Sequence, residues 1–402
     1  MPSLTCALTL AAQLLVVDAG GGGDHTTIQA AIDAASPGDT ILVQPGSYAA
    51  FNAPIALSIL GPGVGPGPVV TGDCTVTGAA GFTLAGLQID GTLACTSVPG
   101  RLDLDELAIT GKPFPLRLTD CDQVLLARSS VVGAATEYTL WQQLDGIAAL
   151  RVEGSDLVVV DSTITGNSGV APAEEYAPGG TGLYLVGSSA TVVGSNVSGG
   201  EGGTYQSLFT FCEIGGSALY VDHSSLTLRG FENVAAGGPG GLGCASGATA
   251  RLDAAVFVHS GVDLASGVVE QPGSAPSLIV NPPNQPFLTL VGADGPGQTR
   301  RLLVWGKVGQ VALVVGALPA APLALPGVEG LVQTDFAAPF FVQATTATGF
   351  ANPVSFPFGL PSSLTGLSGA VLSFQAAFPT VPGALAPGSF LVTNPVDAVI
   401  RF

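Results

Sequence analysis

A ten-residue pattern recurs through the middle of the chain, and it constrains the fold more than any other feature. It runs from Phe82 to Gly91, Leu102 to Gly111, Val124 to Gly133 and Leu157 to Gly166, with weaker copies starting at Ala190, Leu226 and Ala250. The copies start 20, 22, 33, 33, 36 and 24 residues apart. Their first and third positions are apolar throughout: Phe82/Leu84, Leu102/Leu104, Val124/Leu126, Leu157/Val159, Ala190/Val192, Leu226/Leu228 and Ala250/Leu252. Alternation with period two marks strands buried on one face. One such unit cannot bury that face by itself, but a stack of units can, so the expectation is a β-solenoid. No helix-length pattern lies between the strands, which excludes leucine-rich repeats and α/β sheets.

Composition agrees. The chain has 402 residues with 57 Gly and 30 Pro, but only 2 Lys and 10 Glu, so it is poor in helix formers and rich in turn residues. Charged residues are 10% and apolar residues 47%, the reverse of a disordered chain. The length exceeds what one core usually serves. Residues 1–280 hold 25 acids and 7 bases, and residues 281–402 hold 4 of each. The break falls in the Pro-rich stretch Pro272–Pro286. The expected domains are therefore a solenoid over 15–275 and a second module over 276–402. In the latter, strands such as Leu302–Trp305 and Val311–Val315 separated by Gly/Pro turns read as a β-sandwich.

The net charge of −18 excludes a nucleic-acid footprint. It also disfavours polyanionic partners unless a cation such as Ca²⁺ bridges them. No apolar run reaches membrane-spanning length. Residues 1–14 have the apolar run and small residues of a secretion leader but no basic start; a first buried strand is the alternative. Of six cysteines, Cys6 would leave with a leader, and the remaining five cannot all pair within the chain. The separations Cys74–Cys95 and Cys212–Cys244 each match one repeat, so disulfides between coils and buried free thiols both remain open. No Cys-x-x-Cys motif suggests zinc.

The segment from Asp18 to Tyr48 adds a cap. Ile28, Ala31, Ile32 and Ala35 form one helical face, Thr26 or Thr27 can cap it, and Ser36-Pro37-Gly38 ends it before a strand over Thr40–Val43. The run TIQAAIDAASPGDTILVQPGSY resembles the entry cap of the pectate-lyase-like, right-handed parallel β-helix superfamily, and the resemblance covers roughly residues 15–270. It implies an all-β fold: a right-handed parallel β-helix with an N-terminal capping helix, here followed by the C-terminal sandwich. The tail, ending in Phe390–Phe402, is similar to C-terminal modules of secreted bacterial β-helix proteins, which implies an extracellular or cell-surface location and a role in attachment or assembly. Because the superfamily includes lyases, hydrolases, epimerases and non-enzymes, the resemblance bears on fold and not on activity.

Stacking at the rung spacing of about 4.8 Å aligns equivalent positions. The fifth position gives Gly86, Glu106, Arg128, Asp161, Gly194, Gly230 and Ala254, with Asp103, Asp105, Asp120 and Asp122 nearby. An Arg between carboxylates resembles the site of a polysaccharide lyase, in which a base takes the C5 proton and carboxylate-held Ca²⁺ neutralises the uronate. On that reading Glu106, Arg128 and Asp161 are catalytic; otherwise they form an ion-pair ladder. The longer spacings place insertions near 134–148, 167–181 and 199–217, which should stack into a wall. They carry Glu137, Tyr138, Trp141, Asp145, Glu174, Glu175, Tyr176, Glu201, Tyr205, Phe209, Phe211 and Glu213. Aromatic residues beside carboxylates suit sugar binding, and Tyr138, Trp141, Glu174, Glu175, Tyr176 and Tyr205 are the candidate contacts. Paired carboxylates could also hydrolyse a glycosidic bond; plain loop packing is the third reading.

His25 falls in the cap turn and His259 near Asp263 reads as a surface or turn residue. Asp222-His223-Ser224 has triad residue types, but strand neighbours should face opposite ways. The acidic and His-Gly motifs of polygalacturonase-type hydrolases and any Arg/Lys-rich lyase motif are absent, and the Gly runs at 20–23 and 237–243 lack the strand–helix setting of a nucleotide site. The sequence thus favours a non-catalytic extracellular surface or matrix protein, polysaccharide-binding through its insertions and needing no evident cofactor. A lyase or glycoside hydrolase working in a groove along the helix is the alternative.

Overall fold

The computed structural model describes residues 13–402 except 63–65, 112, 138–146, 171–177, 207–209, 213, 230–233, 242–243, 261–262, 265–266, 271–277, 281–286, 292–298, 306–308, 318, 324–327, 330–331, 335–338, 340, 348–353, 360–370, 380–389, 394–395 and 400–402. Three long parallel sheets wind into a right-handed β-helix, and between the first and last rungs each coil gives one strand to each sheet. The first sheet has eleven strands, from Leu14–Val17 to Leu278–Val280. The second and third have nine each, ending at Asp263–Leu264 and Val268–Glu270. One full coil runs Asp156–Val160, Thr163–Thr165 and Thr181–Val186, in first, second and third sheet order.

Six of the seven repeat copies pair in the expected register. Phe82, Leu102, Val124, Leu157, Ala190 and Leu226 align across the first sheet and are buried. The seventh copy is misplaced. Ala250 pairs with Leu219 in the third sheet, and the true partner of Leu226 is Phe257. The reason is physical. Strands of the first and third sheets share the same inward alternation, and both end in a one-residue left-handed corner, so a local pattern cannot tell them apart.

Those corners shape each coil. After the first sheet, Gly86, Glu106, Arg128, Asp161 and Gly194 have φ of 70°, 49°, 46°, 47° and 56°. After the third, Ser97, Asp120, Gly154, Gly187, His223 and Ala254 lie between 46° and 58°. Next to each corner runs an internal ladder. Leu107, Ser129 and Ser162 donate their backbone N–H to the Oγ of Ser129, Ser162 and Ser195 one coil on, at 3.1, 3.0 and 3.1 Å. Cys121, Ser155 and Ser188 do the same toward Ser155, Ser188 and Ser224, at 2.9, 3.2 and 2.9 Å. Turn amides that burial would otherwise strand are thus satisfied inside the stack. The third corner, between second and third sheets, is a backbone ladder of glycines: Gly200 N–H donates to Gly180 O, and Gly216 N–H to Gly200 O, both at 2.8 Å. A Cβ on Gly216 would sit 1.9 Å from Gly180 O, so only glycine permits that approach.

The helix α1 (Ile28–Ala34) closes the N-terminal end. Thr27 Oγ1 accepts from Ala30 N–H, and Ile28, Ala31 and Ile32 are buried against the core with Ala35 alongside. The strand Thr40–Val43 lies where expected. Residues 1–12 are outside the described residues; Gln13 N–H donates to Asp39 Oδ1 at 2.7 Å, and Leu14 already belongs to the first rung.

The C-terminal module is a largely antiparallel sandwich. A three-stranded sheet (Phe287–Val291, Thr299–Trp305, Val354–Gly359) faces a six-stranded sheet that includes Val311–Ala317, Phe341–Thr346 and Val371–Pro379. Leu288, Leu290, Leu302 and Val304 pack against Ala312, Val314, Phe374, Ala376 and Phe378. The module also touches the outer face of the first sheet, where Val193 and Trp305 form a buried pair with Leu303 beside them.

Candidate functional site

The charged column exists and each member is tied to a protein partner. Arg128 donates from Nε to Glu106 Oε1 at 3.3 Å and makes a shorter ion pair through Nη2 with the buried Asp105. Asp161 Oδ2 accepts from the Leu290 backbone N–H of the sandwich at 3.3 Å. Arg300, only 1% exposed, brings its Nη2 to 4.0 Å from Glu106 Oε1. The column therefore lies where the sandwich meets the helix. Of the neighbouring acids, Asp103 pairs with Arg101 Nε at 2.7 Å, and Asp122 Oδ2 accepts from Gly100 N–H at 2.9 Å. Among the described residues no group of three or more His, Cys, Asp or Glu side chains is placed to hold a metal ion.

The insertions leave from equivalent points of successive coils. Thr136–Glu137 pairs in parallel with Gly169–Val170, and Gly169 N–H donates to Glu201 O at 2.8 Å. Their roots are thus stacked, as a wall requires. The third insertion folds into a hairpin of Thr204–Gln206 and Thr210–Cys212. The candidate contacts Tyr138, Trp141, Glu174, Glu175 and Tyr176 lie outside the described residues, and of Tyr205 only the backbone is described, within that hairpin.

The insertions lead into the strands Ala148–Glu153, Thr181–Val186 and Leu219–Asp222 of the third sheet, and the outer face of that sheet holds a column that the sequence reading missed. Arg117, Arg151, Tyr184, Tyr220 and Arg251 align rung by rung. The Arg151 guanidinium lies 5.1 Å from the Tyr184 ring centre and 5.5 Å from that of Phe114. Tyr184 and Tyr220 stack at 4.7 Å. Glu153, on the same face, pairs with Arg151 and with Arg117 at 3.5 Å. Burial opposes ionisation of Glu153, but the two arginines outweigh it and hold its carboxyl below the usual value. The signal was in the chain: residues 151, 184, 220 and 251 each follow an inward aliphatic residue, in strands that the repeat alignment did not cover (151, 184, 220) or placed in the wrong sheet (251).

The Asp222-His223-Ser224 reading needs correction in its reason. His223 is a left-handed corner residue and not a strand residue, so it turns back and its Nδ1 lies 2.5 Å from Asp222 Oδ1. That hydrogen bond, with the charges of Asp222 and Asp253, raises the imidazole pKa. Ser224 faces inward, donating to Asp222 O at 2.6 Å within its ladder, so the three do not form a relay. His259 stacks on Phe257 at 5.5 Å, and burial lowers its pKa. Cys74, Cys95 and Cys121 are free and buried, with the Cys74 thiol pushed up to about 11 by burial. Cys95 pairs in register with Val76 and not Cys74, which leaves no Cys74–Cys95 bridge. Cys244 is disulfide-bonded.

No family model matches the chain, and no curated protein matches it. Solved structures do. The full-length tailspike protein 2 of an Escherichia coli O157:H7 bacteriophage is 12% identical with a TM-score of 0.30, over 95% of this chain and 63% of that one. The chain thus spans less than two thirds of that tailspike. The enzymatically active domain of bacteriophage CBA120 tailspike protein 2 is 11% identical with a TM-score of 0.29, over 95% of this chain and 71% of that one. The periplasmic alginate epimerase AlgG is 11% identical with a TM-score of 0.21, over 61% and 77%. Likeness at this level says nothing about activity.

Proposed function

We propose that this parallel β-helix is an extracellular, non-catalytic protein that binds polysaccharide on the outer face of its third sheet, beside the stacked roots of the insertions. The stacked roots at 136–137, 169–170 and 201 carry this reading, because they align three insertions along one side of a straight floor. A polymer lying along the helix axis would meet equivalent side chains on every rung. The floor offers guanidinium and phenol groups as hydrogen-bond donors and Glu153 as an acceptor, and the insertions add aromatic and acidic residue types; this mixture suits sugar hydroxyls. The charged column supports the non-catalytic choice. Arg128 is engaged by Asp105 and Glu106, and Asp161 by the sandwich.

A polysaccharide array probed with the full chain tests the reading. At least one polymer should be retained, and Tyr184→Ala should weaken its binding roughly tenfold, the loss of about 1.4 kcal/mol. Arg128→Ala should leave retention unchanged. Retention lost in Arg128→Ala but kept in Tyr184→Ala would move the site to the charged column and with it the lyase alternative.

A further inference from the structure

The strand Phe341–Thr346 closes one side of the six-stranded sheet, hydrogen-bonded to Val311–Ala317 and to no other described strand. We propose that this edge is a self-association site, where the same strand of a second copy adds antiparallel across a two-fold axis and joins two six-stranded sheets into one. The proposal is independent of the carbohydrate reading.

Three observations carry it. First, the edge is open and apolar. Val342 is 55% exposed, and on the same outer face of the neighbouring strand Leu313 and Val311 are 43% and 52% exposed. These are three of the six large hydrophobic residues exposed among the described residues, and they sit together. Gln343 and Ala344 are exposed as well, and Gln343 Nε2 donates to the Ala344 carbonyl at 3.2 Å, as a neighbouring strand's N–H would.

Second, the other margins of the two sandwich sheets carry features that oppose pairing. Val354–Gly359 includes the exposed Pro357, which lacks an N–H. Phe287–Val291 gives its Leu290 N–H to Asp161 of the helix. Val328–Glu329 and Val396–Val399 each contain an acid, Glu329 and Asp397. Phe341–Thr346 has neither proline nor charge, and nor does its neighbour Val311–Ala317. Proteins ordinarily protect edge strands with such residues, so a long uncharged edge left bare is a pairing template.

Third, charge selects a second copy as the occupant. Residues 1–280 carry −18, whereas 281–402 carry equal numbers of acids and bases. Two copies repel along their helices and approach without that penalty at the sandwich. An uncharged strand is also compatible with itself in an isologous antiparallel pairing, where each side chain meets the same surface on its mate.

Sedimentation equilibrium of the full chain across a range of concentrations decides the matter. The expected result is a reversible monomer–dimer equilibrium, with Kd raised at least about tenfold by Val342→Lys. That position is exposed, so the monomer should keep its fold and thermal midpoint. Ala344→Pro, which blocks backbone pairing in a different way, should have the same effect. A chain that stays monomeric throughout overturns the proposal, and so does a dimer whose Kd neither substitution changes.

Discussion

At the scale of single residues, the left-handed corners explain why polar side chains appear where a repeat alignment suggests chemistry. Glu106, Arg128 and Asp161 follow Gly86 and precede Gly194 in one column because each occupies a backbone conformation that glycine adopts freely and other residues adopt at a cost of about 1–2 kcal/mol. Their charges are then satisfied locally. The same conformation at His223 folds its ring onto Asp222, a contact that reading the segment as a strand forbids. It has a measurable consequence. With its pKa raised in the folded state, His223 adds stability that is fully present below the unfolded histidine value of about 6.5 and disappears as pH rises through the folded value. An NMR titration should place the His223 ring above the ordinary histidine value, and Asp222→Asn should bring it back down. A wild-type value at or below the ordinary one would contradict the contact.

At the scale of elements, sequence patterning located strands well and ladders poorly. The inward residues of six rungs, the strand Thr40–Val43 and the buried face of the cap helix were all legible, because burial on one face leaves a period-two or helical trace. The serine ladders were not. Ser129, Ser162 and Ser195 recur at the sixth repeat position, yet serine next to a turn looks like any surface residue until stacking buries it. Similarly, Arg151, Tyr184 and Tyr220 lie in strands of three different coils, and only the coil lengths bring them into line. The ladder yields a prediction. Ser162 Oγ accepts from Ser129 N–H and donates to Val160 O at 2.8 Å, so Ser162→Ala leaves two buried backbone groups without those partners. The expected loss is about 1–3 kcal/mol in a denaturant titration. Thr163→Ala, one residue on and exposed, should cost a few tenths at most. Equal effects at the two sites would remove the ladder from the account.

At the scale of the whole molecule, the parallel helix supplies a long, regular floor, and the stacked roots of the insertions lie along one side of it. The sandwich occupies a different face, over the first sheet, where it meets the charged column through Leu290, Arg300 and Trp305. The lyase reading was assigned to the column that meets the sandwich, while polysaccharide binding and glycoside hydrolysis were both assigned to the insertions, whose roots border a largely half-buried floor. The most direct test of the central claim follows the fate of a retained polysaccharide. The polymer should be incubated with the full chain for many hours, with and without Ca²⁺, while reducing ends and unsaturated sugars are measured. The account predicts that the polymer stays bound and undiminished in length under both conditions. Reducing-end or unsaturated products above the level of a protein-free control would contradict it.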